Sequence, residues 1–208
     1  MCGIVSYIGP KDPVPILLKG LRRLEYRGYD SAGVALLNKN NLQCLKKAGK
    51  VSYLESVIDD SAINGFCGIA HTRWATHGEP NDINAHPHLD RKKKIALVHN
   101  GIIENYGAVK EVLKKRGISF TSATDSEVLV QLISELYYNR KEKLSFEDAV
   151  RAALQEVVGA YGIVVICEDE PGKIIAARMG SPLVLGVGEG EFLIASDASP
   201  IVEHTRNV

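Results

Sequence analysis

Residues 162–195 read GIVVICEDEPGKIIAARMGSPLVLGVGEGEFLIA. They contain four short apolar runs, at 162–167, 174–177, 183–187 and 192–195, with glycines at 172, 180, 188 and 190 between them. Short runs rich in Val and Ile and bounded by turn formers predict antiparallel strands. The spacing of Gly186, Gly188 and Gly190 matches neither a Rossmann nor a P-loop motif, so a hairpin turn is expected there. Immediately upstream the period changes from two to 3.6. Residues 126–138 place Val128, Leu129, Leu132, Ile133 and Leu136 on one helical face, with Thr124 and Glu127 spaced as a capping box. Residues 146–158 do the same, with Ser145 as N-cap and Gly159 as stop. Nearer the N-terminus, an apolar run at 4–8 precedes Val14, Leu17, Leu18, Leu21 and Leu24, which follow a helical period after Pro13 and Pro15. A strand at 34–37, a turn at 38–41, a return strand at 42–45, a short helix at 51–58 and strands at 65–70 and 95–98 complete the pattern. Helices in the middle, flanked by runs of antiparallel strands, predict an α+β fold with helix-covered sheets.

The chain has 208 residues, 25 Lys plus Arg against 25 Asp plus Glu, and 45% apolar residues. That length predicts one domain with a core large enough to need no staples. A zero formal charge argues against nucleic acid as a partner, and the basic run at 91–94 reads as a solvated turn. No apolar run reaches the length of a membrane helix, and no secretory signal pattern opens the sequence. The four cysteines (Cys2, Cys44, Cys67, Cys167) form no CxxC pair. Reduced thiols and a cytoplasmic location are expected. Cys44, Cys67 and Cys167 lie on strand-like stretches and read as small hydrophobes. Residues 204–208 supply no closing element, which reads as a cut within a longer protein.

Several positions could carry chemistry. Removal of Met1 would put a thiol and a free α-amine on Cys2, and that amine, with a reference pKa of about 7.7–8.0, can act as a base near neutral pH. By position alone, Cys2 is equally an ordinary strand residue, with Gly3 leaving room for a substrate. The segment LRRLEYRGYDSAG at 21–33 makes a polar turn carrying Arg27 and Asp30. Residues 71–90, HTRWATHGEPNDINAHPHLD, are polar, His-rich and without period, as functional loops often are. In HNGIIENY at 99–106 a strand runs into Asn100-Gly101, where a side-chain amide and a backbone N–H can converge as an oxyanion hole. A plain Asn-Gly turn is the alternative. His71, His77, His86, His88 and His99 lack the partner spacing of a structural zinc site, so no metal is expected.

CGIV at the N-terminus, LRRLEYRGYDSAG, GIAHTRWATHGEPNDINAHPH, LVHNGIIENY and Thr124-Asp125 follow one another in this order. Together they closely resemble the glutaminase domain of the glutamine:fructose-6-phosphate aminotransferase family, class II glutamine amidotransferases with an N-terminal nucleophile. The resemblance spans residues 2–208 and implies a four-layer αββα sandwich of antiparallel sheets, without the C-terminal sugar isomerase domains. It implies that Cys2 is the nucleophile and its α-amine the base, with Asn100 and Gly101 holding the oxyanion and Arg27 ordering the nucleophile. Arg73 would pair with the glutamine α-carboxylate, beside Thr76 and His77, and Asp125 with its α-ammonium. Trp74 would close the site and gate ammonia. The implied activity is glutamine hydrolysis through a γ-glutamyl thioester, without a cofactor. The ammonia would pass to an isomerase part acting on fructose 6-phosphate, in a full-length protein that is a homo-oligomer. Two alternatives stay open: an amidophosphoribosyltransferase-like acceptor, or a non-catalytic glutamine-binding module.

Overall fold

A computed structural model describes the chain except residues 1, 40, 60, 62, 76, 77 and 140–142. The elements in chain order are β1 (Gly3–Ile8), α1 (Pro13–Leu24), β2 (Ser31–Leu37), β3 (Leu42–Ala48), α2 (Val51–Asp59) and β4 (Cys67–Arg73). They continue with β5 (His88–Leu89), β6 (Ile95–Ile103), α3 (Tyr106–Lys115), α4 (Asp125–Tyr138) and α5 (Phe146–Gln155). The last four are β7 (Gly159–Cys167), β8 (Ile175–Met179), β9 (Val184–Val187) and β10 (Phe192–Ala195).

Two antiparallel sheets form, ordered β3-β2-β4-β1-β10-β9 and β5-β6-β7-β8. Three apolar layers follow from strand alternation. Val5, Tyr7, Val34, Leu36 and Ala70 turn towards α1 and α2. Ile4, Ala35, Ile69, Val98 and Val164 fill the space between the sheets. Ile95, Leu97, Ile163 and Val165 meet the helices of the other face, where Val128, Leu129, Ile133 and Phe146 are buried. The expected αββα sandwich is therefore found.

Local chemistry sets the element ends. Asp12 caps α1 by accepting from the Val14 N–H at 3.0 Å, with proline at the start of the helix, where a missing N–H is tolerated. Leu17, Leu21 and Leu24, on the inner face of α1, are fully buried, each burial contributing roughly 1.5–3 kcal/mol. Ser145 caps α5 as expected, accepting from the Asp148 N–H at 3.1 Å.

The capping box at α4 is only half formed. Thr124 accepts from the Glu127 N–H at 3.2 Å, but the Glu127 carboxylate turns to Thr121 and Ser122, whose N–H groups and hydroxyls it accepts at 2.6–3.0 Å. The Thr124 N–H instead donates to the Ser122 hydroxyl at 3.3 Å, which leaves the glutamate available to order the incoming loop.

Other boundaries shift. α5 ends at Gln155, and Gly159 opens β7 rather than stopping the helix. β2, β4 and β6 run longer than their apolar patterns because polar residues at their ends keep pairing. The turn at 38–41 includes residue 40, which lies outside the described residues. The basic run at 91–94 is a turn in which Asp90 accepts from the Lys94 and Ile95 N–H groups at 2.7 and 2.9 Å. Among the described residues no helix is long and apolar enough to cross a membrane.

Candidate active site

A cavity of about 330 Å³ opens where the C-terminal ends of β4 and β6, the start of β1 and the N-terminus of α4 meet. Its wall includes Cys2, Arg27, Arg73, Trp74, Asn100, Gly101 and Asp125, which the sequence spreads over 123 positions. Ile102, Ser181 and Pro182 complete one side. No sequence signal marks Ser181 and Pro182.

Cys2 stands at the start of β1. Its sulfur accepts from the Trp74 backbone N–H at 3.2 Å and lies 3.5 Å from the Trp74 carbonyl. Burial pushes the thiol above its ordinary value, and the Trp74 N–H opposes that shift. The site by itself therefore favours a resting thiol over a thiolate. Gly3 does not open space for a substrate. A Cβ there would come within 2.7 Å of Leu24 and Thr72, so glycine at this position lets β1 pack beneath α1.

Asn100 and Gly101 are not a turn. They sit inside β6, paired with Gly162 and Tyr161 of β7. Gly101 has φ +133, and a Cβ would lie 2.0 Å from the Ala160 carbonyl oxygen. Only glycine fits that backbone at that distance. The Asn100 amide nitrogen donates to the Cys2 carbonyl at 3.2 Å, and its oxygen lies 3.0 Å from His71 Nε2.

Arg73, at the end of β4, is buried and donates to the Gly78 and Glu79 carbonyls at 3.2 and 3.4 Å. Asp125 opens α4, where the helix dipole favours a carboxylate. It accepts from the Ile103 N–H at 2.8 Å, and Oδ2 lies 3.9 Å from His99 Nδ1. Arg27 donates to the Ser196 carbonyl at 3.2 Å and pairs with Asp197 at 3.6 Å, which ties the cavity wall to the segment after β10. Trp74 is half exposed at the mouth, its ring edge-on to Tyr29 with centroids 6.3 Å apart. Thr76 and His77 lie outside the described residues.

Four further residues shape the site. Asp30 accepts from the Ala75 N–H and from the Ser31 hydroxyl, fixing the segment that follows Arg73. His71, His86 and His88 form a buried row of rings, with centroids 4.2 and 4.7 Å apart, the first pair tilted and the second edge-on. Burial pushes His71 down to about 3 and lowers His86 and His88 well below the ordinary imidazole value, so all three are neutral hydrogen-bonding groups. Among the described residues, no group of three or more His, Cys, Asp or Glu is arranged to hold a metal ion. Cys67 and Cys167 are buried and Cys44 half-buried, and burial raises these thiols to about 12, 11 and 11.

The sequence profile of the glutamine amidotransferase domain matches residues 71–203. The chain belongs to the glutamine amidotransferase family. Its relatives include glutamine–fructose-6-phosphate aminotransferase (isomerizing) of Chlorobaculum tepidum, 58% identical across all of this chain and 34% of the relative. The corresponding protein of Bacteroides thetaiotaomicron is 57% identical over the same shares. The chain thus spans about a third of the length of these relatives. Among solved structures, this amidotransferase domain is similar to glutamine phosphoribosylpyrophosphate amidotransferase from B. subtilis, at a TM-score of 0.84 and 26% identity over 98% of the chain and 44% of that structure. The sandwich is therefore the fold shared by amidotransferases of the N-terminal-nucleophile type.

Proposed function

We propose that residues 2–208 form a glutaminase domain in which Cys2 attacks the side-chain amide of glutamine. One observation carries this reading: Cys2, Asn100, Arg73 and Asp125 share the wall of one small cavity. A free amino acid needs one cationic and one anionic partner, and Arg73 and Asp125 supply them. Guanidinium suits a carboxylate as a bidentate donor. Arg27 orders the nucleophile, and the sequence resemblance assigns Thr76 and His77 to the same carboxylate.

With Met1 removed, the Cys2 α-amine takes the thiol proton as sulfur attacks the amide carbon. The Asn100 amide and the Gly101 N–H receive the tetrahedral oxyanion, a task worth about 2.7–4 kcal/mol per donor in acyl-transfer enzymes. The protonated amine returns its proton to the departing nitrogen, the C–N bond breaks, and ammonia leaves a γ-glutamyl thioester. Water then attacks the thioester carbon, giving glutamate and the free thiol. Trp74 covers the mouth and controls where ammonia goes.

The whole protein uses this ammonia on fructose 6-phosphate to make glucosamine 6-phosphate, through further C-terminal domains, as a cytoplasmic homo-oligomer. The 57–58% identity to relatives named for fructose 6-phosphate supports that acceptor over phosphoribosylpyrophosphate, since the phosphoribosylpyrophosphate enzyme is 26% identical. The test is Cys2→Ala: glutamate release is lost while glutamine binding by calorimetry is retained. Turnover by that variant would remove the nucleophile assignment, and loss of both together would leave the cavity as a structural feature only.

A further inference from the structure

We infer that His71 is a positioning residue for Asn100, holding its side-chain amide so that the NH₂ group, and not the oxygen, faces Cys2. The inference rests on the glutaminase reading above and deepens it. The two ends of a carboxamide are almost the same size, so packing alone does not choose between them and hydrogen-bond partners must.

Two carbonyl oxygens make the choice. The Cys2 carbonyl, 3.2 Å from Asn100 Nδ2, can only accept. The His99 carbonyl, 3.2 Å from His71 Nε2, can also only accept, so Nε2 carries a hydrogen. That N–H lies 3.0 Å from the Asn100 side chain and needs an acceptor there, which is Oδ1. With the amide turned over, an NH₂ would face an N–H and an oxygen would face a carbonyl oxygen. Both contacts would be repulsive in a site where His71 is fully buried and Asn100 nearly so.

The imidazole tautomer and the amide orientation therefore fix each other. His71 Nδ1 has no hydrogen-bond partner among the described residues, as expected of a neutral ring whose single hydrogen is on Nε2. The ring packs against that of His86, tilted by 41° with centroids 4.2 Å apart. His71 lies on β4 and Asn100 on β6, so the lock spans the gap between the two sheets. Of the two Nδ2 hydrogens one serves the Cys2 carbonyl, and the other is the donor that an oxyanion beside Cys2 would meet.

The experiment is a set of His71 variants of this chain assayed for glutamate release. His71→Leu lowers kcat by roughly 10- to 100-fold, up to the smallest loss seen when an oxyanion donor is deleted outright. The glutamine KM and the rate of Cys2 alkylation by iodoacetamide stay unchanged, because neither uses the oxyanion donor. His71→Gln, which can place an N–H near the Nε2 position, recovers most of the kcat, whereas the shorter His71→Asn does not. In an Asn100→Ala background, His71→Leu causes no further loss, because its effect runs through Asn100.

Equal losses in the two backgrounds would overturn the inference. So would a rise in KM together with slowed alkylation, which marks general disruption of the site. If His71→Leu does not fold, the Gln and Asn variants decide, and equal activity in those two overturns it. Failure of the underlying reading shows separately, as turnover by Cys2→Ala whatever stands at position 71.

Discussion

The Cys2 sulfur accepts the backbone N–H of Trp74 at 3.2 Å, so the start of β1 and the mouth of the cavity share one contact. That hydrogen bond is the main influence acting against burial of the thiol, and burial prevails. A protonated thiol needs a base to become a nucleophile. Among the groups proposed for the site, the α-amine of Cys2 is the one placed to act so, and only after Met1 has gone. Protein carrying Met1 by intact mass should release no glutamate, and protein lacking it should be active. Comparable rates from the two forms would remove the amine from the mechanism.

Arg73→Lys keeps the charge but loses the planar fork and its bonds to the Gly78 and Glu79 carbonyls. A charge-assisted hydrogen bond contributes about 1.5–3 kcal/mol, so the glutamine KM should rise by roughly 10- to 100-fold. Steady-state kinetics check this, and an unchanged KM would place the carboxylate elsewhere.

Asp125→Asn keeps an acceptor for the Ile103 N–H and removes the charge proposed for the ammonium. Its KM for glutamine should rise, while its KM for glutaramate, which lacks the α-amine, should match that of the unaltered protein. Equal effects on both substrates would reduce Asp125 to a helix-capping role.

Gly101→Ala must place a Cβ on the Ala160 carbonyl oxygen at a backbone φ of +133. Strain of this kind is worth roughly 1–3 kcal/mol before any steric overlap is relieved. The urea midpoint should fall by a corresponding amount, with β6 and β7 losing amide protection first in hydrogen exchange.

His71, His86 and His88 are held neutral by burial, so each has a folded pKa below its unfolded value of about 6.5. The unfolded chain takes up these protons first as pH falls. Their stabilising contribution is complete about one pH unit above 6.5 and declines below that, by up to ~1.4 kcal/mol per pH unit for each histidine. Urea midpoints at pH 7.5, 6.5 and 5.5 should fall slightly between the first two and steeply between the last two. A midpoint independent of pH would show that these rings titrate normally in the folded protein.

Much of this architecture can be read from residue order, because its determinants are local. The apolar faces of α4 and α5 and the Ser145 cap depend on neighbours within a turn or two. The motifs around Arg27, Arg73 and Asn100 bring these residues to one cavity wall, Arg73 from the last position of β4 and Asn100 from within β6. What could not be read depends on distant partners. Glu127 is spaced for a capping box, yet its carboxylate is taken by Thr121 and Ser122. The His71 contact with Asn100 exists only once β4 and β6 face each other across two sheets. α3 carries a single fully buried residue, Leu113, and so shows little of the apolar stripe that marks its neighbours.

The strand carrying Cys2 lies between β4 and β10 and is hydrogen-bonded to both. A ribosome adding about 5–20 residues per second delivers β10 roughly 10–40 s after Cys2. Ser196, whose hydroxyl receives the Ile4 N–H at 3.0 Å, and Asp197, which pairs with Arg27, arrive just after it. Cys2 is thus synthesised well before the residues that frame it. Through that interval the strand that follows Cys2 lacks one of its two neighbours in the sheet. Pairing with β10 then completes the sheet beside Cys2, which separates in time the synthesis of this thiol from the completion of its surroundings.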